Sequence, residues 1–96
     1  MSYKLKFLPS ALKEWEQLGA TVQEQFKKKL GERLRQPIVP ADRLRGQENY
    51  FKIKLRSSGY RLVYEVEETT VTVFVIALGK REKENVYRHA AKRNRP

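Results

Sequence analysis

The sequence predicts one α+β domain: an antiparallel sheet of about four strands, two N-terminal helices on one face and a short C-terminal helix, in the order β-α-α-β-β-β-α. Three observations predict it. From Tyr50 to Arg56 apolar and cationic residues alternate strictly and then meet Ser57-Ser58-Gly59, which marks a strand entering a hairpin turn. Between Pro9 and Leu34 the apolar spacing lengthens to three and four, the period of a helix. Thr70 to Leu78 is the most apolar run of the chain, rich in the β-formers Val71, Val73, Phe74, Val75 and Ile76, and reads as a strand buried on both faces.

In chain order, Tyr3-Lys4-Leu5-Lys6-Phe7 alternates and is a first strand, ended by Pro9. Leu12, Trp15 and Leu18 have helical spacing, Pro9 suits a first turn and Gly19 suits the position past a C-cap, so 9–18 is a short amphipathic helix. Thr21-Val22-Gln23-Glu24 fits a capping box for the second helix. Val22, Phe26, Leu30 and Leu34 form its buried stripe, which stops at Gln36-Pro37. Residues 37–47 are a connector in which Pro37 and Pro40 block regular structure, with Arg43 and Arg45 near its end. The basic hairpin follows, Glu67-Glu68 turns the chain, and the apolar strand ends at Gly79. Glu82 to Lys92 is a weaker helix with Val86/Ala90 and Tyr87/Ala91 spaced by four, and the tail 93–96 is polar.

In the hairpin, Phe51, Ile53 and Leu55 take one face and Lys52, Lys54 and Arg56 the other. With Arg56 or Lys54 opposite Arg61, the paired residue numbers sum to an odd total, and Arg61 joins the lysine face. The expectation is a patch of four cations on a rigid sheet.

At 96 residues the chain has room for one sheet with a helical cover. It contains no Cys and a single His, which excludes disulfides and thiolate metal sites and leaves little for zinc; no metal or cofactor is expected. No segment has the length of a membrane span or the apolar core of a signal peptide, so the expectation is a cytoplasmic protein with no membrane partner. The net charge is +10, and its distribution is uneven: residues 43–61 carry six and residues 80–96 carry seven of the 21 Lys and Arg, against three acids, Glu48, Glu82 and Glu84. Such clustering is the footprint of a polyanion binder rather than of an evenly solvated surface. Lys27, Lys28, Lys29, Arg43, Arg45, Arg56 and Lys80 are candidate RNA-binding cations. The Lys27-Lys28-Lys29 run sits off the apolar stripe of its helix, and a solvated face is its simpler reading.

The chemistry available is cationic: Lys52, Lys54, Arg61 and Arg81, with Tyr87 a turn and a half further on. His89 is alone and reads as solvated surface. Cations and a phenol suit phosphate chemistry. RNA cleavage by the 2′-hydroxyl needs a proton acceptor, stabilisation of an extra negative charge and protonation of the 5′-oxygen. A lysine of pKa ~10.4 is a poor acceptor at neutral pH. A neighbouring cation at ~6 Å opposes its charge by roughly 0.7 kcal/mol at a water-like dielectric and about 2.8 kcal/mol at ε ~20, which lowers that pKa. Two readings stand at this point, a lysine base or lysines that only neutralise phosphates.

The residues Ala11-Leu12-Lys13-Glu14-Trp15, Leu18-Gly19, Leu44-Arg45-Gly46, Tyr50 through Val63, Gly79-Lys80-Arg81-Glu82 and Val86-Tyr87 resemble the RelE toxins of bacterial toxin–antitoxin pairs along nearly the whole chain. The resemblance implies a microbial-ribonuclease-like fold and a metal-independent endoribonuclease that cuts mRNA in the ribosomal A site and arrests translation. It implies as partners a RelB-like antitoxin, the 70S ribosome with its rRNA and mRNA, and operator DNA only for the toxin–antitoxin complex. Carried over position by position, the family's catalytic set falls on Lys52, Lys54, Arg61, Arg81 and Tyr87. The lysines would share base and transition-state roles, Arg61 would hold the phosphate, Arg81 would serve the leaving group and Tyr87 would stack on or orient a base. Two alternatives come from other classes: a non-enzymatic ParE-like toxin acting on gyrase, and a basic RNA-binding module without catalysis.

Overall fold

The computed structural model describes residues 2–46, 49–80 and Ala90. The chain runs β1 (Lys4–Phe7), α1 (Pro9–Glu16), α2 (Ala20–Arg35), a 3-10 turn (Pro40–Asp42), β2 (Tyr50–Leu55), β3 (Tyr60–Glu67) and β4 (Thr72–Lys80). The helix expected over 82–92, and with it Arg81, Tyr87 and His89, lies outside the described residues, apart from Ala90, which is helical and buried in the core.

The four strands form one sheet in the order β1-β4-β3-β2. β2, β3 and β4 are antiparallel, as the hairpin signals require, whereas β1 joins β4 in parallel because two helices carry the chain between β1 and β2. Pairing of Leu5 with Val73 and Phe7 with Val75 puts these four side chains on the helix-covered face with Phe51, Ile53, Leu55, Leu62 and Tyr64. The β3–β4 register slips by one between Val63 and Tyr64: Val63 pairs with Ala77 but Tyr64 with Val75, so Ile76 is the extra residue of a bulge. Ala77 and Gly79 thereby come onto the same face as Val63 and Arg61.

Both helices are held by the stripes their spacing predicts, with differences at the ends. Phe26 and Leu30 of α2 are buried, and Val22 and Leu34 pack half-buried at the margins. On α1 the core-facing line is Ala11, fully buried, and Trp15, half-buried, continued just past the helix by half-buried Leu18, while Leu12 is 43% exposed, one residue round the helix from Ala11. Trp15 meets Phe7 edge-on at 5.5 Å and Phe26 at 6.4 Å. α1 ends at Glu16, short of Leu18, and α2 begins at Ala20 with Gly19 as its cap, so Thr21 lies inside the helix and makes no capping box. Gly19 accepts from the Gln23 amide at 3.0 Å, and the Gln23 side chain donates to the Trp15 carbonyl at 2.9 Å, which ties the two helices together. Beyond the end of β1 the edge of β4 is covered by α1, whose Glu14 carboxylate accepts from the Leu78 amide at 3.1 Å. The connector is more regular than its prolines suggested, since Pro40 opens the 3-10 turn instead of blocking it.

The hairpin turn uses Gly59 at φ +77°, and its amide donates to the Leu55 carbonyl at 2.8 Å. A Cβ at Gly59 would meet nothing within 4 Å, so Gly59→Ala should cost only the left-handed backbone penalty, about 1 kcal/mol, read as a lower urea midpoint. A loss several times larger would mean that the turn is packed against something else.

Candidate active site

β2 and β3 pair so that Lys54 lies directly opposite Arg61 and Lys52 opposite Val63. The two lysines and Arg61 therefore share the sheet face turned away from α1 and α2, on neighbouring strands whose paired side chains begin about 5 Å apart. β2 forms here because its apolar half, Phe51, Ile53 and Leu55, is buried beneath α2, which forces the intervening lysines outward. Arg56 departs from the expected patch: β2 ends at Leu55, so Arg56 belongs to the turn rather than to the lysine face. It still faces Lys54 from the turn and acts on it electrostatically.

Arg61 is only 7% exposed. Its one hydrogen bond within the described residues goes from Nη1 to the adjacent Tyr60 carbonyl at a long 3.4 Å, and no carboxylate among those residues pairs with it. An incoming phosphate would give this covered guanidinium charge-assisted hydrogen bonds. Lys54 is fully exposed, and its pKa is lowered from 10.5 by the charge of Lys52 first, then by desolvation and by Arg61 and Arg56, with the Asp42 carboxylate acting the other way. A depressed lysine surrounded by cations is the geometry that a proton acceptor needs.

The other predicted cations fall into separate places. Lys28 and Lys29 line a groove of about 510 Å³ together with Lys54 and Arg56, so the groove runs from α2 to the edge of the patch. Lys27 does not join them; it pairs with Glu24 at 3.5 Å and lines an apolar hollow beside Leu5 and Trp15. Three consecutive helical residues span roughly 200° of the helix surface, which is why the run divides. Arg43 lies over the Phe51 ring at 5.2 Å, Arg45 is exposed in the turn before β2, and Lys80 ends β4 with its ammonium over Tyr60 at 5.6 Å. Arg81 and Tyr87 are not placed, being outside the described residues.

One cluster was not foreseen. Arg33 of α2 donates from Nη1 to the Tyr64 hydroxyl at 2.8 Å and to the Lys52 carbonyl at 3.3 Å, and from Nη2 to the Asp42 carboxylate at 2.5 Å. The Tyr64 hydroxyl in turn donates to the Pro37 carbonyl at 2.8 Å. Burial raises the Tyr64 pKa, with Arg33 opposing; burial works against the Arg33 charge, and Tyr64 and Asp42 outweigh it. The available signal was the parity of β3, which puts Tyr64 with Leu62 and Val66 on the core face, where a phenol needs a partner.

Residues 5–85 match the family described as ParE toxin of type II toxin-antitoxin system, parDE. The chain is 58% identical over 93 residues to the mRNA interferase toxin RelE of Escherichia coli strain K12, covering 97% of this chain and 98% of that protein. A mutant form of E. coli RelE in the free state superposes with a TM-score of 0.89 at 56% identity, over 96% of this chain and 97% of the other. In the intact E. coli RelBE toxin–antitoxin complex, the matching chain has a TM-score of 0.82 at 58% identity, over 84% of this chain and 99% of that one.

Proposed function

The chain belongs to the RelE toxins within the ParE toxin family of type II toxin–antitoxin systems, and from that membership we propose that it is a ribosome-dependent mRNA endoribonuclease held in check by a RelB-like antitoxin. The observation that carries the catalytic reading is Arg61: a nearly buried guanidinium with no carboxylate partner among the described residues, directly across the strand pair from a lysine of lowered pKa. In the proposed reaction the unprotonated Lys54 amine takes the proton from a 2′-hydroxyl as its oxygen attacks the adjacent phosphorus. Lys52 and Arg61 hold the negative charge that builds on the phosphoryl oxygens. The P–O5′ bond then breaks, leaving a 2′,3′-cyclic phosphate on one fragment and a 5′-hydroxyl on the other once the leaving oxygen is protonated. Arg81 and Tyr87 are proposed for the leaving group and for base stacking on the strength of the family pattern alone.

Binding would occur at the A site of the 70S ribosome, in the cytoplasm, with operator DNA bound only by the toxin–antitoxin complex. Lys28, Lys29 and Arg56 would carry an RNA backbone along the groove towards Lys54, with Arg43, Arg45 and Lys80 as outlying phosphate contacts and Lys27 outside the path. The test is to map mRNA 5′ ends on translating ribosomes with and without the protein. Discrete cuts at A-site codons with 5′-hydroxyl ends are expected; no cuts, together with inhibited DNA gyrase supercoiling, would instead favour the ParE-like reading that the family description allows.

The division of the lysine run yields a further expectation. Lys28→Ala/Lys29→Ala should weaken ribosome affinity and reduce the slope of log K against log salt by about 1 to 2, the share of two phosphate contacts. Lys27→Ala should change it little, because Lys27 faces the other way. Equal effects from both would mean that the groove has no special part in binding.

A further inference from the structure

β2 is the edge strand of the sheet, and an edge leaves outward carbonyls to be satisfied by something other than a strand. Here Tyr50 O accepts from the Leu44 amide at 2.8 Å, and Lys52 O accepts from Arg33 Nη1 at 3.3 Å. The second of these is a side chain reaching from α2 to the backbone of a candidate catalytic residue. The same guanidinium is fixed by the Asp42 carboxylate and by the Tyr64 hydroxyl, whose ring is fully buried and stacked on Phe51 at 5.6 Å. Helix, 3-10 turn and two strands therefore meet at one guanidinium, and one of its contacts sets where the lysine strand lies.

We propose that Arg33 and Asp42 are positioning residues for the site, a brace that fixes the outer edge of β2 behind Lys52 and presents a carboxylate to Lys54. This rests on the ribonuclease reading above. Arg33 acts through the Lys52 backbone: with that edge anchored, Lys52 and Lys54 stay in register against Arg61. Asp42 acts through its charge. Lys54 is faced by Lys52 on its own strand, Arg61 on β3 and Arg56 in the turn, and it shares its grooves with Lys28, Lys29, Glu32 and Arg33 of α2 and with Asp42. Among the charges acting on it, Asp42 opposes the cations and limits how far the lysine is depressed.

Two variants separate the parts. Asp42→Asn keeps the shape and an oxygen for Arg33 but removes the charge, so the Lys54 titration midpoint, followed by side-chain carbon shifts in the free protein, should move to lower pH. In cleavage assays the rising limb of the rate–pH profile should move the same way. Arg33→Met keeps the apolar stem and leaves Tyr64 its bond to Pro37; single-turnover cleavage should fall roughly 10- to 100-fold, the scale of a displacement of up to about 1 Å, at unchanged ribosome affinity. An unmoved Lys54 midpoint in folded Asp42→Asn would overturn the electrostatic half, and full cleavage by folded Arg33→Met the positioning half. Because the titration uses the free protein, a chain that failed to cleave mRNA would defeat the function proposed above without deciding the outcome for Asp42.

Discussion

Arg61→Ala is expected to lower single-turnover cleavage on programmed ribosomes by roughly 10² to 10³-fold, the usual loss when one preorganised electrostatic contact is removed. Stability should move the other way or hold, because the substitution removes a guanidinium that is 7% exposed and has no carboxylate partner among the described residues. A variant that is both inactive and unfolded would show that Arg61 supports the sheet instead of waiting for phosphate. Lys54→Ala should cost a similar factor, and the pH profile then distinguishes its roles. The neighbouring cations, Lys52 first, hold the Lys54 pKa below its ordinary value of 10.5, so the unprotonated amine appears at lower pH than in a free lysine. The rate should rise with pH and level off above that depressed pKa. Lys54→Arg keeps the charge but cannot lose a proton near neutrality, so it should lose the plateau. If Lys54→Arg cleaves at the wild-type rate with an unchanged profile, Lys54 is a phosphate clamp and the base lies elsewhere.

The second large effect is on folding. Phe51 is fully buried, stacked on Tyr64 at 5.6 Å, and carries the Arg43 guanidinium on its ring at 5.2 Å. Phe51→Ala should cost about 3 to 5 kcal/mol from lost transfer energy and the cavity left behind. Against a total of about 5 to 15 kcal/mol for a small domain, that is enough to lower Tm by roughly 12 to 40 °C. Urea unfolding followed by tryptophan fluorescence would measure it, Trp15 being the sole tryptophan. A loss below about 1 kcal/mol would be incompatible with the burial of Phe51 between β2 and the helices.

Much of this was legible because a strand has only two faces. Once Tyr50–Leu55 is seen to alternate, burial of Phe51 fixes the direction of Lys52 and Lys54, and the parity of the hairpin fixes Arg61, whichever of the two expected registers is real. Helix surfaces are continuous, and there the sequence was less decisive: it could not say that Lys28 and Lys29 would turn towards Lys54 while Lys27 turned away. The capping box failed for a local reason, since Gly19 adopts an extended cap conformation and the helix has begun before Thr21. Least legible was the Arg33–Asp42–Tyr64 cluster, where residues 31 positions apart meet only because α2 crosses the strands at one angle. No periodicity encodes such a contact, and the sole hint was a phenol on a core-facing position.

The bulge at Ile76 makes the two halves of β4 obey different reading phases. Up to Val75 the odd-numbered residues face the helices, and from Ala77 onwards the even-numbered ones do, so Leu78 points to the core while Gly79 sits beside Arg61. Deleting Ile76 would join Val75 directly to Ala77 and restore plain alternation, with Leu78 still in the core and Gly79 still beside Arg61, whereas one residue inserted between Ala77 and Leu78 would turn Leu78 towards the cations and bury Gly79 in its place. Added length beyond the bulge is thus under tighter constraint than residue identity. An insertion in the exposed turn at Glu68–Thr70 shifts no phase and should be tolerated, whereas a single residue inserted between Ala77 and Leu78 should not.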